Sequence, residues 1–386
     1  MVLKGYTRFL NNDTYMKLIQ KERLASLDIL RGADMFLLLF IGPVVKKIFG
    51  VCPGRPSWLT GQFHHVSWEG FAMWDIIMPL FLFMSGITIP FSMARYKTGL
   101  RPDRAFYLKL LRRFCLLFAL GWIVQGNLLS FDWKMFTPYS NTLQTIAVGY
   151  LITALLFVNL SFRWQVVACV LLAAAYWIAF ACTGMNLDPQ TNIAMTIDNT
   201  VLGSHRAGVI WDAEGLWHFN LKYQYTWILS SLNFSVTVML GCFAGQMLKN
   251  EEYTPARRAA ILAGIGICLI AIGQIISPIF PIIKKIWSTS MTLYSGGICM
   301  LLIALTFYIV DVRGWGKGLN WLKIYGMNAI TAYMIGMVIK FTSVSESILH
   351  GFSSLECYPV LIELANVSIL FGILYLLYRN RIFLKV

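Results

Sequence analysis

What most constrains this chain is a recurring pattern: stretches of roughly 20 uninterrupted apolar residues, the length a helix needs to cross the hydrocarbon core of a bilayer. Spans are expected near 27–49, 72–94, 106–128, 141–160, 164–182, 225–248, 258–277, 287–310, 321–342 and 359–378. They lack the 3.6-residue alternation of a half-buried surface helix. Composition agrees, with 58% hydrophobic and 13% charged residues; a soluble domain carries about twice that charged fraction. Mean hydropathy is +0.64. The expectation is an all-α, polytopic membrane helix bundle of ten, or eleven, transmembrane helices. It forms one domain over 27–386 behind a tail, 1–26, with polar outer loops at 50–71 and 183–224. The first apolar run is long enough to span rather than be cleaved as a signal peptide.

The formal charge of +14 would suggest nucleic acid in a soluble protein. Here Lys and Arg gather in cytoplasmic loops to orient the bundle. With the N-terminus cytoplasmic, 22 of the 32 Lys and Arg fall inside and nine outside, and Arg31 lies within the first span. Both termini are therefore expected in the cytoplasm, in a multi-pass protein of the inner cell membrane with no nucleic-acid partner. The cytoplasmic segment 95–113 holds seven Lys and Arg, including Arg112 and Arg113, against the single acid Asp103. It would suit the phosphates of a nucleotide co-substrate, although orientation alone also predicts it. The eight cysteines show no CxxC spacing, and no His/Cys/Asp/Glu group has metal-ligand spacing, so no metal is expected. No P-loop is present, and the glycines at 314–318 lack a Rossmann strand.

Ionisable residues within spans are costly and are functional candidates by default. Asp28 and Arg31 lie one turn apart and can pair as a structural clasp. Asp34, deeper, faces either a water-filled cavity or a cation from another helix. Four of the five histidines fall in the two outer loops: His64, His65, His205 and His218. Asp75, ten residues after His65, could accept a hydrogen bond from the imidazole and fix its tautomer, or else pair with a cation at the interface. A neutral imidazole can take a proton from an amine or hydroxyl, or attack a thioester and carry the acyl group. Both roles belong to acyl transfer. Trp68 and Glu69, and Asp212 and Glu214, are the polar and aromatic residues of those loops placed to hold an acceptor.

Three stretches carry a family resemblance: Arg23-Leu-Ala-Ser-Leu-Asp28-Ile-Leu-Arg31-Gly32, His65-Val-Ser-Trp68-Glu-Gly70, and Trp74-Asp75-Ile-Ile-Met-Pro79-Leu-Phe81-Leu-Phe83-Met-Ser-Gly86. Further matches are Leu143-Gln144-Thr-Ile146, Asp212-Ala-Glu214-Gly215-Leu216 and Gly326-Met327-Asn328-Ala329. Over about 23–340 the chain resembles the heparan-α-glucosaminide N-acetyltransferase family, in particular its bacterial branch. The first stretch alone is shared with membrane O-acyltransferases, whereas the second and third together are more specific. The resemblance implies a multi-pass acetyltransferase that takes acetyl-CoA from the cytoplasm and acetylates an amino sugar across the membrane, with His65 as the catalytic histidine. It departs from the eukaryotic members at Gly42, where they carry asparagine, and at Asp34, where they carry an apolar or small residue.

The expectation is therefore transmembrane acetyl transfer, with His65 as base or nucleophile and Asp75 as its orienter. His64, Trp68, Glu69, Asp212, Glu214, Gln144 and Asn328 are candidates on the acceptor and acyl side, and Arg31, Asp34, Arg112 and Arg113 on the acetyl-CoA side. Partners are acetyl-CoA, a small saccharide and the bilayer, with a homodimer open. The rival readings are a proton-coupled saccharide transporter and an O-acetyltransferase of a surface glycan. The enzyme reading requires a cavity joining the cytoplasmic side to the imidazole.

Overall fold

Inside lipid, a helix satisfies every backbone N–H and C=O from its own segment, and the long apolar runs of this chain are helical. The computed structural model describes residues 24–52, 56–97, 101–126 and 131–384. The tail over 1–23, and Gly54 and Arg55 of the 50–71 segment, lie outside the described residues. The helices are α1 (Ala25–Phe36), α2 (Gly42–Val51), α3 (Ser57–Gly61), α4 (Ile77–Met93), α5 (Arg104–Gln125), α6 (Thr142–Asn159), α7 (Phe162–Ala181) and α8 (Ile193–Leu202). After a short antiparallel hairpin, β1 (Val209–Trp211) with β2 (Trp217–Phe219), come α9 (Ser231–Lys249), α10 (Pro255–Ile276), α11 (Thr289–Phe307), α12 (Leu322–Met327), α13 (Ala329–Val338), α14 (Thr342–Leu349) and α15 (Tyr358–Arg379).

Among the described residues, seven helices are long and apolar enough to cross a membrane. An eighth span is added if the bent pair Ala329–Val338 and Thr342–Phe352, at 72° to each other, is one crossing. The fold is all-α and polytopic, with the hairpin as its only sheet among the described residues. Two of the expected spans are set apart by charge rather than length. α1 runs through a π-helical turn, Leu37–Ile41, straight into α2, and carries Asp28, Arg31, Asp34, Lys46 and Lys47; α5 carries Arg104, Lys109, Arg112 and Arg113. The expected single span over 321–342 is corrected to two pieces, α12 and α13, which break at Asn328 (φ −115°, ψ 29°). The expected span over 225–248 begins later, at Ser231, because residues 225–230 are tied to neighbouring loops.

Burial sorts the helices into a centre and a ring. The apolar windows of α9 and of the Met73–Tyr96 helix are 72% and 67% buried, whereas those of α7, α10 and α15 are each 22% buried. The ring's outward faces are apolar, for instance Ile275, Ile267 and Val170, a surface that water would not tolerate as a contiguous patch. Lipid suits it. At the centre, glycines let backbones touch, as small residues do between helices in membranes. A Cβ on Gly86 of α4 would lie 1.9 Å from the Val238 carbonyl oxygen, and one on Gly241 of α9 would lie 1.9 Å from that of Phe83. α1 and α12 meet in the same way through Gly32 and Gly326.

Candidate active site

The site is built where three connecting segments converge on the N-terminal end of α4. Backbone N–H groups at a helix start have no intrahelical partner, and here side chains supply them. Gln62 accepts from Met73 N through its side chain (2.9 Å) and from Trp74 N through its carbonyl (3.0 Å). Asp75 turns back so that its Oδ2 accepts from Ala72 N at 3.0 Å. The other carboxylate oxygen, Oδ1, faces His65. An ionised carboxylate only accepts, so His65 Nδ1–H donates to it, at 2.7 Å. That contact fixes the tautomer and leaves the Nε2 lone pair available.

A third group completes the cluster. Between α10 and α11 the chain forms a strap over 278–288, which pairs with the His65 segment: Gly70 N donates to Ile282 O at 2.8 Å, and Glu69 bridges Ile283. Gly70 has φ +117° there, a conformation open to glycine. The strap delivers Lys284, whose Nζ donates to Asp75 Oδ1 at 3.2 Å and stands 3.1 Å from His65 Nδ1. The strap is braced by Ser288 and Ser290, both donating to Pro281 O, and by Asn233, which donates to Trp287 O. Burial pushes the Lys284 ammonium down to about 8, against the pull of Asp75, which favours the charged form.

His65 and Lys284 open onto a cavity of about 410 Å³, within the range that holds small ligands. Its wall is mostly apolar and aromatic, with Trp74, Tyr225, Trp227 and Trp287 prominent, and with Lys285 beside Lys284. Leu38 and Met337 bring α1's continuation and α13 to the same wall. The segment between α7 and α9 closes one side. Buried Asp198 accepts from Trp227 N (2.7 Å) and Ile228 N (3.0 Å) and so holds the indole of Trp227 in place. Burial pushes its carboxyl up to about 6, opposed by those two N–H groups and by Arg206. Buried Arg206 in turn bonds Asn199 and the Tyr223 carbonyl.

A smaller cavity, about 180 Å³, lies at the other end of the same helices, lined by Arg95, Tyr96, Lys109, Arg113 and Tyr150 among others. Arg113 lies over the Tyr150 ring at 3.8 Å. About 30 Å of helix separates Asp75 from Arg95 at 1.5 Å per residue, so the two cavities sit at opposite ends of the bundle. They are separate in this structure. α6 walls both: Ile146 lines the larger and Tyr150 the smaller, roughly 6 Å apart along the axis.

The expected site residues divide accordingly. His65 and Asp75 are brought together at the large cavity, which His65 lines while Asp75 is buried behind it; Arg113 lines the small one, and Arg112 is exposed on α5. His64 is exposed and bonds the Thr60 carbonyl. Trp68 packs in the cluster around Tyr176 and Phe280, and Glu69 is exposed. Asp212 accepts from the N–H groups of Glu214 and Leu216, closing the hairpin turn, and both acids are exposed and outside the cavity lining. Gln144 is fully buried but occupied: it accepts from Ser140 N and Asn141 N and donates to Pro138 O. Arg31 donates to Met84 O. Asp34 and Asn328 are buried with no hydrogen-bond partner on either side-chain polar atom. Both lie close in sequence to cavity residues, Leu38 and Ala329 respectively. Gly42 meets the indole of Trp74: a Cβ there would lie 1.9 Å from Cη2.

Sequence reasoning counted Lys284 only as an outer-loop charge. Its signal was the Lys284-Lys285 pair, two adjacent cations in a segment that the expected topology puts on the side where the positive-inside rule disfavours them. Among the described residues, no group of three or more metal-ligating side chains is found. No family model matches the chain. It is 25% identical to heparan-alpha-glucosaminide N-acetyltransferase of Homo sapiens, over 94% of this chain and 60% of that protein. Against the protein of the same name from Mus musculus it is 24% identical, over 81% of this chain and 53% of the relative. The chain thus spans little more than half the length of these relatives. By sequence, this membrane protein is a distant relative of the heparan-alpha-glucosaminide N-acetyltransferases.

Proposed function

We propose that the chain is a membrane acetyltransferase that takes acetyl from acetyl-CoA at the cytoplasmic face and passes it to the amine of an amino sugar on the outer side. The observation that carries this reading is the His65–Asp75 contact at 2.7 Å, opening onto a cavity sized for a small ligand. The distant relationship supplies the reaction class. In this reading α1 with α2, and α5, also cross the membrane, the N-terminus is cytoplasmic, and the bundle has ten spans.

His65 Nε2 takes a proton from the attacking nitrogen, or itself attacks the thioester. Asp75 keeps the ring in the productive tautomer and stabilises the imidazolium that forms. The acceptor lies against Trp74, Tyr225, Trp227 and Trp287. Acetyl-CoA approaches from the other end, with its phosphates on Arg113, Lys109 and Arg95 and its pantetheine arm passing along α6 from Tyr150 to Ile146. About 6 Å of helix divides the cavities along α6, and about 16 Å along α4, from Phe81 to Ser92; in this reading Tyr150, Arg113 and the α4 side chains between them move to join the two. Asn328, with unspent donors, is the candidate for the acyl carbonyl; Gln144 acts by holding the 138–141 segment in place.

The test is acetyl transfer from radiolabelled acetyl-CoA to glucosamine by the purified protein in proteoliposomes. His65→Ala is expected to stay folded and to keep its CoA-dependent thermal shift, but to lose transfer. Full activity in that variant refutes the role. A second reading, a proton-coupled saccharide carrier, is favoured by the unpartnered, buried Asp34 in α1 and by the helix break at Asn328. Stabilisation by saccharide with none from CoA would select it.

A further inference from the structure

The Lys284 side chain has a place in the site that the acyl-transfer scheme above leaves unused. Its Nζ, the Nδ1 of His65 and the Oδ1 of Asp75 are mutually within 3.2 Å, and the lysine lines the same cavity as the histidine. The Nδ1 proton is already committed to Asp75, so Lys284 is not there to hydrogen-bond the imidazole.

The charges decide what it can do. One carboxylate, Asp75, is buried behind the mostly apolar cavity that His65 and Lys284 line, and one carboxylate balances one cation. An alkyl amine arrives as its ammonium and cannot attack a thioester in that form. If Lys284 is also an ammonium, two cations face one anion in a poorly solvated space, which is costly. Only one of the two holds the extra proton comfortably.

We propose that Lys284 is the second acid–base group of this site: its neutral amine strips the proton from the acceptor's ammonium before His65 acts. The inference rests on the acetyltransferase reading. The proton passes from R–NH3+ to Nζ, giving R–NH2 and the Lys284 ammonium paired with Asp75. The nitrogen attacks the thioester carbon, and a C–N bond forms. His65 Nε2 takes one proton from that nitrogen and gives it to the sulfur as the C–S bond breaks. The products are the acetamide, CoA thiol and neutral His65, and Lys284 then releases one proton to water. Burial of Lys284, which lowers its affinity for the proton to about 8, suits this exchange near neutral pH. The other titratable groups lining the cavity are Lys285, from the same turn, and Tyr223, Tyr225 and Tyr333.

The experiment compares the wild-type protein with Lys284→Arg, which keeps a cation on Asp75 but cannot become neutral, and Lys284→Gln. Two acceptors are used: glucosamine, and methoxyamine, whose nitrogen is unprotonated at neutral pH. Wild-type kcat/KM with glucosamine is expected to rise through about pH 8. Both variants are expected to lose about tenfold with glucosamine at neutral pH and below, where its nitrogen is largely an ammonium, and to recover as that nitrogen itself deprotonates, while keeping methoxyamine acetylation within about threefold of wild type. Equal loss with both acceptors overturns the proposal in favour of a purely structural lysine, as does wild-type activity in Lys284→Arg. If the wild type uses glucosamine only, an unchanged pH profile in Lys284→Arg overturns it. If the wild type acetylates neither amine, the acetyltransferase reading fails instead.

Discussion

Replacing Asp75 by asparagine separates the carboxylate's charge from its shape. The carboxylate accepts three hydrogen bonds: from His65 and Lys284 on Oδ1 and from Ala72 N on Oδ2. An amide has one oxygen and can serve only one side. Turning its NH2 towards Lys284 would set a donor against a buried ammonium, so the oxygen stays with His65 and Lys284, and the NH2 faces the Ala72 N–H. That leaves one backbone donor unpaired, at about 1–3 kcal/mol of stability. In turnover the imidazolium loses an ionised partner. A charge-assisted hydrogen bond is roughly twice as strong as a neutral one, so the deficit is about 1–1.5 kcal/mol, or about 5–13-fold in rate. The expected result for Asp75→Asn in proteoliposomes is therefore a kcat lowered about 5–13-fold, with KM for acetyl-CoA unchanged. Asp75→Ala is the wrong variant to use, since it strands the Lys284 charge and costs about 3–5 kcal/mol. A kcat within twofold of wild type, or a loss carried wholly by KM for acetyl-CoA, would refute the orienting role.

Other outcomes follow from the same structure. Gly241→Leu puts a side chain where a Cβ already lies 1.9 Å from the Phe83 carbonyl oxygen; size-exclusion of the detergent-solubilised protein should show no monodisperse folded peak. Asp198 carries a folded-state proton affinity raised from 3.8 to about 6, so its contribution is complete below about pH 4 and falls as the pH rises towards 6. The fall is about 3 kcal/mol by linkage. Hydrogen-exchange protection of the Trp227 and Ile228 amides should decline over that window in the wild type and stay flat in Asp198→Asn. Arg113→Gln is expected to raise KM for acetyl-CoA roughly tenfold, equivalent to about 1.4 kcal/mol of phosphate contact, with kcat unchanged; an unaltered KM removes the small cavity from the donor's path.

The helices were legible because lipid imposes one length and one composition on each crossing, and eight of the ten expected spans match helices closely. The break at Asn328 was not legible: no proline or glycine stands at 328, and its neighbours are as apolar as those of any span. The start of α9 was misplaced for a related reason. Tyr225 and Trp227 read as apolar, yet the Trp227 backbone is bonded to Asp198, a long-range pairing that hydropathy does not register. At the site, His65 and Asp75 were within reach of sequence reasoning because they are ten residues apart at one helix start. Lys284 was not, since it joins them from 219 residues away along the chain. The acids of the hairpin, Asp212 and Glu214, were chosen for their charge in an outer loop, but Asp212 is occupied with closing a local turn.

The central claim is that a thioester and the His65 imidazole meet inside one bundle. A cryo-EM structure of the protein with CoA bound tests it most directly. The account predicts the CoA phosphates at Arg113 and the sulfur about 3–3.5 Å from His65 Nε2, the separation of reacting atoms, in a cavity now continuous past Tyr150. CoA bound anywhere that leaves its sulfur on the far side of Tyr150, or no CoA bound at all, would contradict it.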